Sequence, residues 1–343
     1  MKNEKSIFDE VNLVNLKAKN RLVHSATWEN LAAKDGEITP ELYEMTRQLA
    51  DGGVGTIITG FTSVSQNDIH FGGMMRLGSD QLVPSYKKLT KIAHAKNVRI
   101  LAQLALGGYY EKASENFITF EPDELSKEQI ENIVSLFVAA AIRAQEAKFD
   151  GVQIHAAHFF FLSRFISPTT NHRNDEYGGS TQNRARILCR IIKGIRQKMP
   201  NFHISMKLNM SDMTPGGLEF NESSQIAKFA ADAGLNSIEV SANGTSQTGV
   251  KAGINEAYFY PYAKALAKSL DIPVMLVGGH RSVQNMNRLL NDSKIELLSL
   301  SRPLIRESDL INRWQNGDLA PAKCISCNGC YRTAGHQCVF NLK

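Results

Sequence analysis

Two imidazoles three residues apart, His155 and His158, follow a short apolar run, Gly151–Ala157, in the stretch GVQIHAAHFFFLSRFISPTTNHRNDEYGGSTQNRAR. Neutral imidazoles at a strand end can donate hydrogen bonds to a substrate oxygen or ligate a metal. A zinc reading is the weaker one, because the pair does not sit on a helix and has no carboxylate ligand motif beside it. Other chemistry-bearing residues stand at comparable places: Gln103 and Lys207 each close an apolar run, and so do Gly278–Gly279 and Ser301–Arg302. Glycines let a backbone approach an anion closely, and a guanidinium fork suits phosphate. Near the end of the chain Cys324, Cys327, Cys330 and Cys338 are crowded together, while Cys189 is isolated in a helical pattern. Four thiolates within so short a span meet the ligand count of an iron–sulfur cluster or a Zn(Cys)4 site.

These residues need a scaffold, and the alternation of patterns supplies one. Strand-like runs occur at Arg21–Thr27, Val54–Gly60, Val98–Ala105, Gly151–Ala157, His203–Asn209, Ser237–Ala242, Pro273–Gly279 and Ile295–Arg302. Helical patterns follow them at Pro40–Asp51, Ser79–Ala95, Lys127–Lys148, Thr181–Lys198, Glu222–Ala233, Asn255–Ser269, Arg281–Asn291 and Asp309–Asn316. Ser180 or Thr181 is the expected N-cap of the fourth helix. Eight strands alternating with eight helices predict an α/β fold, a (β/α)8 TIM barrel, over residues 1–316, with a cysteine-rich tail at 317–343. A doubly wound sheet would announce a GxGxxG after an early strand, and none occurs. The polar residues named above then fall at the carboxyl ends of strands, where barrels place their chemistry. The glycine pair and Arg302 fall after strands seven and eight, where barrels commonly hold a phosphate.

Composition narrows the function classes. Of 343 residues, 43% are hydrophobic and 21% charged, with a net charge of +5 and no basic block, so no nucleic-acid partner is expected. No apolar run reaches the length of a membrane span, and MKNEKSIFDE has no signal-peptide core. A cytoplasmic enzyme without a disulfide framework is the expectation. The sequence leaves open whether it forms a homo-oligomer.

The run from His155 to Arg186 resembles the signature of the old yellow enzyme family of FMN-dependent NADH:flavin oxidoreductases, H-A-A-H-G-Y-L…F-L-S-P…N-x-R-x-D-x-Y-G-G-S…N-R. KNRLVHSATWENLAAKDGEITP, AQLALGG, MKLNMSD with PGGL, VGGHRS and LSLSRPLI are similar to other family segments, in order, over nearly the whole chain. The resemblance implies FMN at the barrel mouth. Ser25, Ala26 and Thr27 would pass beside the ring with their backbone, and Gly60 would line it. Gln103 would bond the pyrimidine edge, and Lys207 would place a cation there. Gly278, Gly279, Ser301 and Arg302 would take the phosphate. His155 and His158 would hydrogen-bond the carbonyl oxygen of a small electrophilic substrate, such as an α,β-unsaturated carbonyl. With NAD(P)H as reductant and no separate dinucleotide domain, the half-reactions would share one site in ping-pong order.

The chain departs from that pattern in three places. The family's proton-donating tyrosine is matched by Phe160, leaving Tyr109, Tyr110, Tyr177 or water as the candidates by type. Phe159–Phe161 form either an apolar pocket floor or core packing. Trp28 stands where relatives carry a smaller residue, and would shape the substrate pocket. The tail resembles the cluster-binding segment of the 2,4-dienoyl-CoA reductase branch, though its later cysteines are more tightly spaced. That resemblance implies a 4Fe–4S cluster; zinc and a metal-free remnant are the alternatives. Two other functions remain at this level: a flavin electron-transfer protein working with a partner through the tail, and a metal-dependent barrel enzyme using the histidine pair.

Overall fold

The computed structural model describes residues 4–68, 70, 72–110, 117–119 and 121–342. Eight parallel strands are formed: β1 (Leu22–His24), β2 (Thr56–Ile58), β3 (Arg99–Ala105), β4 (Gly151–Ala156), β5 (His203–Asn209), β6 (Ser237–Ser241), β7 (Val274–Val277) and β8 (Ile295–Leu300). Each pairs with the next, and β8 returns to β1, so the barrel is closed. Around it lie α1 (Pro40–Asp51), α2 (Val83–His94), α3 (Lys127–Glu146), α4 (Phe161–Ile166), α5 (Thr181–Lys198), α6 (Phe220–Asp232), α7 (Tyr260–Ser269), α8 (Val283–Asn291), α9 (Arg302–Arg306) and α10 (Leu310–Gln315). Among the described residues no helix is long and apolar enough to cross a membrane.

The period-two pattern of the strands decides what faces what. Val152 and Ile154 of β4, and Ile204, Met206 and Leu208 of β5, join the core under the helices. Their alternates, Gln153 and His155, and Ser205, Lys207 and Asn209, are buried polar groups on the opposite, inward face. The barrel interior is therefore divided. Its amino-terminal floor is apolar: Val23, Ile58, Leu101, Met275 and Leu297 pack under a hairpin, Val11–Leu13 with Leu16–Ala18, that plugs the end. Above that floor the interior is polar, and there the barrel can hold charge.

Sequence periodicity locates every barrel strand, and the differences lie at the edges. α7, the sixth helix expected from sequence, begins at Tyr260 instead of Asn255, because Ala257 is left-handed (φ 59°) and Tyr258 N–H donates to Gly278 O at 3.1 Å. The plug hairpin and the short helices α4 and α9 carry no strong pattern in the sequence and are found only in the structure. Ser180 is the N-cap of α5, its Oγ accepting from Asn183 N–H at 3.2 Å.

Candidate active site

The polar half of the interior is a single hydrogen-bonded layer. Gln103 Nε2 donates to Gln153 Oε1 at 2.9 Å, and Gln153 Nε2 donates to Glu239 Oε2 at 2.9 Å. Ser25 Oγ donates to Glu239 Oε1 at 2.8 Å and accepts from Lys207 Nζ at 2.9 Å. Lys207 Nζ is also 3.2 Å from Glu239 Oε2. Lys207 and Glu239 are register partners on adjacent strands, which brings their side chains to one level. Burial alone would raise the Glu239 carboxyl, but Lys207, aided by the bonds from Ser25 and Gln153, holds it below its ordinary value.

Above this layer stand the two histidines. At the end of β4 the chain makes a tight turn in which His158 (φ 64°) and Phe159 (φ 57°) are both left-handed. His158 N–H donates to Asn209 Oδ1 at 3.2 Å, and its ring Nε2 lies 2.8 Å from Ser241 Oγ. The His155 ring is 5.3 Å from that of His158, and its Nδ1 is buried without a partner among the described residues. Burial, then the nearby Lys207 charge, brings His158 down to about 3. Burial, then His158 and Lys207, sets His155 well below its ordinary value. Both rings are neutral at physiological pH, so each offers one N–H donor.

The aromatic run divides between the two readings of it. Phe161 is fully buried in the core at the start of α4, whereas the Phe160 ring lies 5.0 Å from His155 and 5.1 Å from Phe61. With Trp28 it closes an apolar cluster containing Phe61, Met74 and Ala105. Phe160 thus faces the His155 ring. Two of the proposed substitutes are placed elsewhere. Tyr109 OH accepts from Asn132 Nδ2 at 2.8 Å, and Tyr177 OH donates to Glu131 Oε1 at 2.9 Å. Both are bonded to α3 and neither lines the cavity at the mouth; the side chain of Tyr110 lies outside the described residues.

A cavity of about 280 Å³ opens at this end of the barrel, and ten of the residues singled out from the sequence line it together. They are Ser25, Ala26, Thr27, Trp28, His158, Lys207, Gly278, Gly279, Ser301 and Arg302. Gly278 (φ 126°) and Gly279 (φ 84°) take backbone conformations that side chains rarely adopt, and a Cβ on Gly279 would stand 2.8 Å from the Tyr258 ring. Gly60 meets Glu29: a Cβ there would lie 2.1 Å from Glu29 Oε2 and 2.4 Å from Thr27 O. Burial pushes the Glu29 carboxyl up to about 8, against the bonds it accepts from backbone N–H groups. Thr27 Oγ1 and Ser301 Oγ are 2.7 Å apart and tie the ends of β1 and β8.

The carboxyl-terminal segment is part of this mouth. Tyr331 and His336 line the cavity; His336 makes an edge contact with Trp28 at 5.1 Å, and Tyr331 OH is 2.7 Å from Ser246 Oγ. Arg281 donates to Cys324 O at 2.8 Å, and Arg302 Nη1 donates to Gln247 O at 2.9 Å and to Asn328 Oδ1. The two arginines therefore bind the segment to the barrel rim, a role that spacing did not suggest for either. Among the described residues no three histidine, cysteine, aspartate or glutamate side chains are gathered so as to hold a metal ion. The four tail cysteines are free thiols, Cys327 exposed and Cys330 buried. Among the described residues, neither they nor the histidine pair presents a metal-ligand set as folded. A larger hollow of about 860 Å³, between α1, α9 and the tail, shares only Thr27 and His336 with the mouth.

Sequence reasoning missed Glu239, Gln153 and Ser241, which complete the site from beneath and beside. The signal was present in SIEVS: Ser237, Glu239 and Ser241 alternate with apolar residues, which places all three inside the barrel.

The cavity fits an elongated anionic cofactor. A positive-φ glycine pair and Arg302 lie at one part of it, and a lysine ammonium with a histidine at another. Ser299 lies on its wall. Comparison with known proteins agrees in kind. The model of the NADH:flavin oxidoreductase / NADH oxidase family matches residues 6–319. An NADH oxidase of Thermoanaerobacter brockii is 30% identical over 95% of this chain, which spans 53% of that protein's length. An NADPH dehydrogenase of Listeria monocytogenes is 30% identical over 88% of this chain and 91% of its own. In fold, the solved old yellow enzyme homologue of Zymomonas mobilis superposes with a TM-score of 0.76 at 22% identity, covering 92% of this chain and 94% of that one.

Proposed function

Since the chain belongs to the NADH:flavin oxidoreductase / NADH oxidase family, the family of the old yellow enzymes, we propose that it is an FMN-dependent oxidoreductase working at the barrel mouth. It passes reducing equivalents from NAD(P)H to a small electrophilic acceptor such as an α,β-unsaturated carbonyl. The observation that carries this reading is the meeting, in one cavity, of Lys207 and His158 with the Gly278–Gly279 turn and Arg302. FMN, when bound, supplies the two-electron redox chemistry.

The chain's own residues do the rest. Backbone N–H groups at Gly278 and Gly279, with Arg302 and Ser301, would hold the phosphate. Ser25, Ala26, Thr27 and Gly60 would offer backbone to the ring, and Gln103 and Lys207 would hold its pyrimidine side. A fixed ammonium there favours added negative charge without reorganising during the reaction. The neutral histidines 155 and 158 donate to the acceptor's carbonyl oxygen, drawing electron density from the conjugated double bond. Phe61, Phe160 and Trp28 present an apolar wall to the acceptor. Because Phe160 cannot give a proton and Tyr109 and Tyr177 are bonded to α3, water reaching the mouth and Tyr110 are left as the sources of the proton added at the α-carbon.

One mouth serves both substrates in turn, so NAD(P)H must leave before the acceptor enters. Initial rates measured against both substrates, with an enone as acceptor, give the parallel lines of a ping-pong mechanism. Intersecting lines, the mark of a ternary complex, would contradict the shared site.

A further inference from the structure

Glu239 is fully buried in the middle of β6, and three donors converge on its carboxylate: Ser25 Oγ at 2.8 Å, Gln153 Nε2 at 2.9 Å and Lys207 Nζ at 3.2 Å. An ionised carboxylate, which accepts and never donates, suits such a set. Its presence also dictates the order of bonds beyond it. The Gln153 amide must turn its nitrogen to Glu239, so its oxygen faces Gln103 and takes the Gln103 amide nitrogen at 2.9 Å. Gln103 then keeps its own oxygen as an acceptor. Lys207 reaches the cavity wall and Glu239 does not, so the pair presents its positive end to the mouth, with compensating negative charge behind it.

We propose that Glu239 is a positioning residue for the cofactor, setting the net charge that Lys207 presents and, through Gln153, the acceptor that Gln103 presents. The inference rests on the reading of Lys207 and Gln103 as the residues at the pyrimidine edge. A carboxylate behind the ammonium weakens its pull on an electron-rich cofactor. It also keeps the lysine in one place, since an ammonium on a flexible stem is otherwise free to turn. Glu239 therefore holds the reduction potential of the bound cofactor lower than an uncompensated lysine would.

The test is the midpoint potential of FMN bound to the reconstituted holoprotein. Glu239→Gln raises it by at least the equivalent of a tenfold change in the ratio of affinities for reduced and oxidised FMN, about 30 mV for a two-electron couple. Glu239→Asp keeps the charge, and so the fold, but sets it back from Lys207; it raises the potential in the same direction by less. Lys207→Met lowers it. With 15N-labelled FMN, the N3–H resonance loses its hydrogen-bonded shift in Gln103→Leu and in Gln153→Leu alike. If both Glu239 variants leave the potential unchanged while Lys207→Met lowers it, the role given to Glu239 is wrong and the site reading stands. If Lys207→Met has no effect either, the placement of Lys207 beside the cofactor is itself wrong. A shift that persists in Gln153→Leu removes Gln153 from the chain.

Discussion

His158 Nε2 lies 2.8 Å from Ser241 Oγ, a bond that spends one of the two ring nitrogens on the protein. The ring is neutral, so only one nitrogen carries hydrogen. For Nδ1 to donate to a substrate oxygen, Nε2 must accept, and Ser241 must be the donor. Ser241→Ala releases that constraint. It should weaken binding of an enone or phenol by about tenfold, on the scale of one hydrogen bond, while FMN content is unchanged. Ser241→Thr restores binding, and 15N chemical shifts of His158 report the tautomer directly. Equal affinity in the alanine variant would mean that the serine only fills space.

His155→Ala and His158→Ala each remove one donor from the site of developing negative charge. Each should retain FMN, judged by its absorption, and lower kcat/KM for an enone by about 10²–10³-fold. Unchanged binding of phenolic ligands in both variants removes the histidines from substrate recognition.

The depressed histidines also fix a pH profile. With His158 brought down to about 3, it gains no proton between about pH 5 and 8, and burial shifts His155 in the same direction. The dissociation constant of a ligand that does not itself titrate, such as cyclohexenone, should be flat over that range. A step near pH 6.5 that disappears in the histidine variants would show an exposed, ordinary imidazole.

Glu29 makes a prediction about stability. Its carboxyl rises from 4.5 to about 8 on folding, so between those values the native state holds a proton that the unfolded chain has lost. The contribution of this group is present below pH 4.5 and fades as pH rises toward 8. Glu29→Gln, which cannot ionise, should lack that loss, and at pH 8 it should exceed the parent by on the order of a few kcal/mol. Urea unfolding of both proteins at pH 5 and pH 8 measures it. The same pH slope in both would place the Glu29 carboxyl in contact with water.

Strand positions and the residues lining the mouth were legible because both follow local rules: alternating polarity, and glycine or charge at strand ends. Lys207, His158 and the Gly278–Gly279 turn are of this kind. What was not legible depends on pairing between distant strands or on the path of irregular chain. Glu239 became part of the site only once β5 and β6 were in register. Tyr177, near the signature histidines in sequence, is drawn to α3 by Glu131, while Tyr331 and His336, far along the chain, fold back onto the mouth. Tail spacing suggests a metal-ligand set; the fold shows that Arg281 and Arg302 fasten that segment through backbone, hydroxyl and amide groups. Spacing between cysteines carries no information about such anchors.

The central claim is that this barrel mouth binds FMN and lets NAD(P)H reduce it. The direct measurement is an anaerobic titration of the FMN-reconstituted protein with NADH and with NADPH, followed by flavin absorption after unbound FMN has been removed. The account predicts stoichiometric FMN that loses its oxidised absorption with at least one of the two nucleotides and regains it on adding an enone. Protein that emerges without FMN, or whose bound FMN stays oxidised with both, would contradict it.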